Sequence, residues 1–210
     1  MTLYASTAQI KAAMRITDSV DDSLISMAGS AASELIDGYC GRTFGTVTAT
    51  RYFAPSDSHV LQIDDLAGTA GLTIQSSTLG DGDYDVTWTA TDYQLEPLNG
   101  IADGLSWPYT RIRAVGDYLW PALYSGVATY GELTGYGEVS VKIAGTWGWP
   151  SVPVTITQAA VIQASRIYKR LDSPLGVAGF GEMGAMRVSR HLDPDVAQLV
   201  APYVRHFGVA

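Results

Sequence analysis

Apolar residues recur at helical spacing through about the first forty positions, alternate with polar ones through the middle of the chain, and return to helical spacing after Ser151. Ser6 or Thr7 is placed to cap a short helix reaching about Ile16, with Ile10, Ala13 and Met14 on one face. The acids of 18–22 suit a second helix start. From there Leu24, Ala28, Ala31, Leu35 and Tyr39 form an apolar stripe, widened by Ile25, Ala32 and Ile36. That stripe predicts a helix over 21–40 packed in a core, with Gly38 and Gly41 marking its end.

Residues 46–149 change character. Runs at 46–53, 60–63, 72–78, 85–91, 111–115 and 138–144 are rich in Val, Thr, Ile, Tyr and Trp, and turn residues separate them. Val139-Ser140-Val141-Lys142-Ile143 alternates and should bury one face. Gly80-Asp81-Gly82-Asp83 reads as a hairpin turn, because Gly and Asp tolerate positive φ. The pattern assigns no element to 117–137, where aromatics alternate with Gly and Ser.

The segment Gly145-Thr146-Trp147-Gly148-Trp149-Pro150 leads from this β-region into a helix over 155–171 that is apolar on nearly every side. Such a helix must bury itself in a core or against neighbouring copies. Pro153 is expected in its first turn, and Arg166, Lys169 and Arg170 complement the dipole at its other end. Asp172-Ser173-Pro174 stops it. A glycine-rich run follows through 192, with Phe180, Met183 and Met186 as apolar anchors and Arg187 and Arg190 beside them. A loop this long usually makes contacts. Asp193 then caps a last helix through about His206, with Pro194 as its first residue and Val196, Leu199, Val200 and Tyr203 on one face.

The expected fold class is therefore α+β: a small helical bundle of two N-terminal and two C-terminal helices, with a β-rich domain inserted. The expected divisions are 1–45 for the first half of the bundle, 46–149 for the inserted domain and 150–210 for the second half. Within the last, 172–192 is the docking loop and 193–206 the C-terminal helix.

Charge and composition sharpen this picture. Charged residues make up 16% of the chain, below the roughly 25% usual in soluble proteins. Such economy, with five Trp and twelve Tyr, suits a surface that hides much of itself in contacts. Residues 1–150 carry 17 acidic against 7 basic side chains, and 151–210 carry 4 against 6. An acidic body argues against tight nucleic-acid binding, which needs clustered Lys and Arg, but suits a wall that DNA slides past. Cys40 stands alone at a helix end, so no intrachain disulfide or Cys-based metal cluster is expected, and a buried inert thiol is the default. No signal peptide and no membrane-spanning stretch is visible.

Chemistry-bearing motifs are sparse. Asp81, Asp83 and Asp85 superficially suggest a calcium loop, but Val86 and Asp92 occupy the positions where an EF-hand needs Gly and Glu, so an acidic hairpin tip is the better reading. His59, His191 and His206 lack metal-ligand spacing and read as surface or interface residues. No GxSxG elbow, phosphate loop or nucleophile–base pair can be nominated, so no catalytic residue, metal or cofactor is assigned. Trp88, Trp107, Trp120, Trp147 and Trp149 could form a sugar-binding platform, which would make this a carbohydrate- or cell-surface-binding module. The competing reading places them in a core or a subunit interface.

Four places carry a resemblance to a known family. The first is Glu34-Leu35-Ile36-Asp37-Gly38-Tyr39-Cys40-Gly41-Arg42-Thr43-Phe44, and the second is Asp92-Tyr93-Gln94-Leu95-Glu96-Pro97-Leu98-Asn99 ahead of Pro108-Tyr109-Thr110-Arg111-Ile112. The third is the Gly145–Pro150 segment above. The last is Tyr168-Lys169-Arg170-Leu171-Asp172-Ser173-Pro174-Leu175-Gly176-Val177-Ala178-Gly179-Phe180-Gly181, followed by Asp193-Pro194-Asp195-Val196. In order and spacing these resemble the head-to-tail connector, or adaptor, proteins of long-tailed bacteriophages, especially actinobacterial ones, although 117–137 is longer than the family pattern. The resemblance implies a virion protein of the head–tail neck, assembled in the host cytoplasm as a dodecameric ring below the portal protein. It would extend the channel for double-stranded DNA without binding it specifically, and would serve as a platform for further head–tail connector or tail terminator proteins. It implies no catalytic residues, cofactor or membrane contact. The interface residues expected are Arg166, Lys169, Arg170, Phe180, Met183, Met186, Arg187, Arg190, Tyr203 and Arg205, with the last helix, ending in Arg205 and His206, facing the portal.

Overall fold

A computed structural model of the chain describes residues 2–79, 81–99, 101–102, 105–121, 124–125, 136–137, 139–171, 177–178, 186–187 and 192–205. The chain divides into two compact units, Met1–Gly45 with Val152–Ala210, and Thr46–Ser151. The first carries the four α-helices seen among the described residues and the second an antiparallel sheet, so the fold is α+β.

In the helical unit, α1 (Thr7–Met14) opens on a capping box, with Ser6 Oγ accepting from the Gln9 amide and Gln9 Oε1 from the Ser6 amide. It ends two residues before the expected Ile16 because Arg15 turns left-handed, at φ 61°. Only Ile10 of its expected apolar face is buried; Ala13 is exposed and Met14 half-buried. Helix α2 (Asp22–Cys40) passes close to α1 at Gly29, where an added Cβ would lie 3.0 Å from Ile10 Cδ1. Gly41, at φ 63°, closes α2 by donating to the Asp37 carbonyl. The stripe expected to be core is buried only in part. Ile25, Ala28, Gly29, Ala32, Ser33, Ile36 and Cys40 face inward, whereas Leu24, Leu35 and Tyr39 are exposed.

Helix α3 (Val154–Leu171) begins just after Pro153, whose carbonyl accepts from the Thr157 amide, so this proline precedes the first turn. Ile156, Ala159, Ala160, Gln163 and Ala164 are buried, and α3 packs against all three other helices. Of its described side chains only Val154, Gln158 and Lys169 are exposed. The apolar surface that suggested packing against other copies is thus largely covered within the unit. Helix α4 (Pro194–Val200) starts at Asp193 as expected but stops early, tightening into a 3-10 turn at Ala201–Tyr203. Pro202 has no N–H to continue an α-helical ladder.

In the sheet unit the main strands are β1 (Thr46–Phe53), β2 (Val60–Leu66), β3 (Thr73–Ser76), β4 (Val86–Trp88) and β5 (Tyr93–Glu96). The two-residue pair β6 (Ile101–Ala102) and β7 (Leu105–Ser106) precedes β8 (Tyr109–Ala114), and another, β9 (Tyr124–Ser125) with β10 (Tyr136–Gly137), precedes β11 (Val141–Gly148). Strand β11 organises the sheet. One edge pairs with β1 over its full length; the other pairs with β3 through Val141–Ala144 and with β2 at Trp147. The path then runs β4-β3-β11-β2-β8-β5.

Strands β4 and β5 end this path yet follow each other in sequence, joined across 89–92, so the sheet must curl until its ends approach. Asp92 holds that connection, its carboxylate accepting from the Thr89 amide (2.7 Å) and hydroxyl (2.8 Å). Those bonds, the backbone amide's foremost, keep its pKa below the usual carboxylate range. Trp120 fills the curl: it stacks on Trp88 at 3.9 Å and 10°, and donates to the Ile112 carbonyl. Leu61, Ile63, Leu66, Ile74, Ile112, Val141, Ile143 and Trp147 complete the core. Val139, expected on the buried face, lies before the strand and is exposed. Strand β1 is an edge with no buried residue.

Candidate assembly surface

The cationic end of α3 and the start of α4 meet in one ion-pair cluster. Arg166 holds Asp195 with two hydrogen bonds, at 2.5 and 2.6 Å, and reaches Asp193 at 3.1 Å; Arg170 lies 3.7 Å from Asp193. The guanidinium hydrogen bonds pull the Asp195 pKa down to about 2, and the carboxylates raise that of Arg166 in return. Asp193 spends its carboxylate here rather than on its own helix, to which it makes no side-chain cap. Two expected interface residues, Arg166 and Arg170, thus clamp α4 to α3 within the chain. Lys169, between them in sequence, remains exposed.

The other expected interface residues lie elsewhere. Tyr203 is 5% exposed and sits edge-on to Phe44, which in turn meets Tyr4, with both centroid distances 5.7 Å. It belongs to the core because the 3-10 turn rotates it inward beside Val200. The Arg205 amide donates to the Cys40 carbonyl at 2.8 Å, tying the chain's last described residues to the end of α2. Met186 and Arg187 form β13 (Met186–Arg187), antiparallel to β12 (Val177–Ala178). Phe180, Met183 and Arg190, like His191 and His206, lie outside the described residues.

A second polar cluster closes the helical unit. The Tyr4 hydroxyl donates to Asp37 at 2.5 Å and accepts from the Phe44 amide at 2.8 Å. Burial raises the pKa of both Tyr4 and Asp37. Cys40, fully buried one turn away, has its thiol pushed up to about 12 by the same desolvation. It is a neutral packing residue with its sulfur near the Val200 carbonyl.

Candidate chemistry in the sheet unit resolves into turns and core. Ser58 Oγ lies 3.1 Å from His59 Nδ1, a contact resembling a nucleophile and its base. Asp57, however, accepts from the His59 and Val60 backbone amides, so it braces the turn and does not orient the ring. At the β3–β4 connection Asp81 accepts from the Asp83 amide and the Ser77 hydroxyl, as an acidic hairpin tip would. Among the described residues no group of three or more His, Cys, Asp or Glu side chains is placed to hold a metal ion. Trp88, Trp120, Trp147 and Trp149 are buried and Trp107 half-buried against Trp149. A sugar platform needs exposed ring faces, and Trp88, Trp120, Trp147 and Trp149 lie in the core instead.

What sequence reasoning missed is the outward row of α2. Leu24 (41% exposed), Met27 (68%), Leu35 (36%) and Tyr39 (45%) follow one another along the solvent side. The signal was present in the spacing, but an apolar arc this wide does not say which half meets the core.

No family model matches the chain, and no curated protein does. Among solved structures, a chain from the neck of an empty GTA particle computed with C6 symmetry is similar over 99% of this chain and 95% of its own, at TM-score 0.55 and 17% identity. A chain from the virion of a native gene transfer agent (GTA) particle is similar over 96% and 91%, at TM-score 0.47 and 18% identity. At these identities the first likeness speaks to fold alone, and it does so end to end. This chain therefore has a fold that a chain of a particle neck also adopts.

Proposed function

We propose that the chain is a structural subunit of the neck of a phage-like particle: a head-to-tail adaptor, non-catalytic, that closes into a ring below the portal. The ring would lengthen the DNA channel and carry further connector or tail terminator proteins. The observation that carries this reading is the end-to-end likeness of this chain, a helical unit interrupted by a sheet unit, to a neck chain. A small helical bundle built from both chain ends would supply the ring wall. A twelve-membered ring also obeys sixfold symmetry, so the resemblance in sequence and the symmetry of the similar particle are compatible.

The charge distribution fits a conduit. With 17 acidic and 7 basic residues in 1–150, the body repels phosphate, and DNA passes without adhering. Portal binding falls to the mildly basic C-terminal region, 151–210, with 4 acidic and 6 basic side chains. Removing 193–210 would be a poor test, because Val196, Val200 and Tyr203 are core residues. The better experiment mixes purified chain with purified portal rings and images the product by electron microscopy. A density ring capping the portal supports the proposal. Bare portals at saturating chain, or tight binding of duplex DNA at physiological salt, would reject it.

A further inference from the structure

Helix α2 is apolar around a wider arc than the chain covers. Each residue advances about 100° around a helix, which sorts α2 into three sectors. Ile25, Ala28, Ala32, Ile36 and Cys40 occupy the buried one. Leu24, Met27, Ala31, Leu35 and Tyr39 occupy the next, which is exposed apart from the half-buried Ala31. Ser23, Ser26, Ser30, Glu34 and Asp37 keep to the third. Single exposed apolar residues are ordinary, but a continuous row over four turns marks a contact surface. Val20, 83% exposed, extends the row past the helix start.

Charge identifies what covers it. Within the helical unit Lys11 pairs with Asp22, Arg166 and Arg170 with Asp193 and Asp195, while Asp21 and Asp37 take the hydroxyls of Tyr168 and Tyr4. Among the described residues that leaves Glu34, exposed beside the row at Ala31, without an ion pair, and the cations Arg15 and Lys169 are likewise exposed without one. The Tyr168–Asp21 bond (2.7 Å) puts the end of α3 beside the start of α2. From there to Glu34 is about 20 Å along the helix, so Lys169 and Glu34 cannot meet within one chain. They can meet between copies.

We propose that a second copy of this chain covers the Leu24–Met27–Ala31–Leu35–Tyr39 face, in a head-to-tail contact that sets Glu34 of one copy against Lys169 of the next. Such a contact joins unlike surfaces, as a closed ring requires; the inference rests on the ring reading above. The full-length chain is assayed by native mass spectrometry and electron microscopy. Met27→Asp should leave the helical circular dichroism unchanged and weaken oligomerisation at least about tenfold. Because buried Cys40 is the only cysteine, the double variant Glu34→Cys/Lys169→Cys should give a ladder of covalent oligomers under mild oxidation, and either single variant none. If Met27→Asp lowers helix content, the cysteine pair decides alone. Wild-type rings that survive in Met27→Asp, or the absence of a ladder, overturn this contact and leave the ring standing. A wild-type chain that never oligomerises, alone or on portal rings, overturns the ring and this contact with it.

Discussion

Trp120→Ala is the sharpest test of how the sheet unit is held closed. The side chain is 1% exposed, stacks on Trp88, and bonds through its indole N–H to the Ile112 carbonyl at 3.3 Å. A buried Trp replaced by Ala costs about 3–5 kcal/mol in transfer and cavity terms. Losing the ring stack adds about 0.5–1.5 kcal/mol, and the carbonyl left without its donor about 1 kcal/mol or more. These terms overlap, so the expected loss is roughly 4–5 kcal/mol, a large part of the 5–15 kcal/mol typical of a domain. All five Trp lie within Thr46–Ser151. Urea unfolding followed by tryptophan fluorescence therefore reports this unit alone. Trp120→Phe should lose less, and Trp107→Ala less again because that ring is only half-buried. A loss below about 1.5 kcal/mol for Trp120→Ala would mean that the packing does not close the sheet, since a buried Leu→Ala truncation already costs about 2 kcal/mol or more.

Further outcomes concern the helical unit. Tyr203→Ala should cost about 3–5 kcal/mol, as for other buried aromatics, measured by loss of helical circular dichroism in urea; unchanged stability with lost assembly would return Tyr203 to the interface. Asp195 titrates at about 2 in the fold, below its ordinary value, so its clamp on Arg166 holds above that ordinary value and is lost as pH falls through about 2. Asp195→Asn should speed amide exchange across α4 at neutral pH, and unaltered exchange would show that the bridge is idle. With its pKa near 12, the Cys40 thiol is about one part in ten thousand thiolate at pH 8. Iodoacetamide should leave it unmodified in the native protein and label it once the helical unit unfolds. Rapid native labelling would contradict its burial.

The sequence showed its elements more clearly than their facing. Helix ends were legible where a residue has one physical use, as with Ser6 before α1, Gly41 after α2 and Asp193-Pro194 before α4. The buried side of α2 was legible only in part, because the whole arc from Leu24-Ala31-Leu35-Tyr39 to Ile25-Ala28-Ala32-Ile36 satisfies helical periodicity, and packing against the other helices decides which part is covered. Gly145 read as the end of a strand. It instead lies inside β11, where a Cβ would come within 3.2 Å of Leu66 and 3.3 Å of Leu72, so the close approach of those leucines explains the glycine. The strand run over 60–63 ends in sequence before two acids, yet β2 continues through Asp64 and Asp65 to Leu66, with Asp64 paired to Arg51 at 2.6 Å. Strand β5 was missed although Tyr93-Gln94-Leu95-Glu96 alternates, because a run of four residues is too short to stand out from the turns beside it. The clamp of Arg166 on Asp195 spans 29 residues, a pairing that helical spacing does not reveal.

Cryo-electron microscopy of the assembled particle, with this chain located in the density, tests the central claim most directly. The account predicts a closed ring of this chain at the junction of head and tail, enclosing an axial channel, with the outward row of α2 covered by the neighbouring copy. Finding the chain outside the neck, or present there without a closed ring, would contradict it.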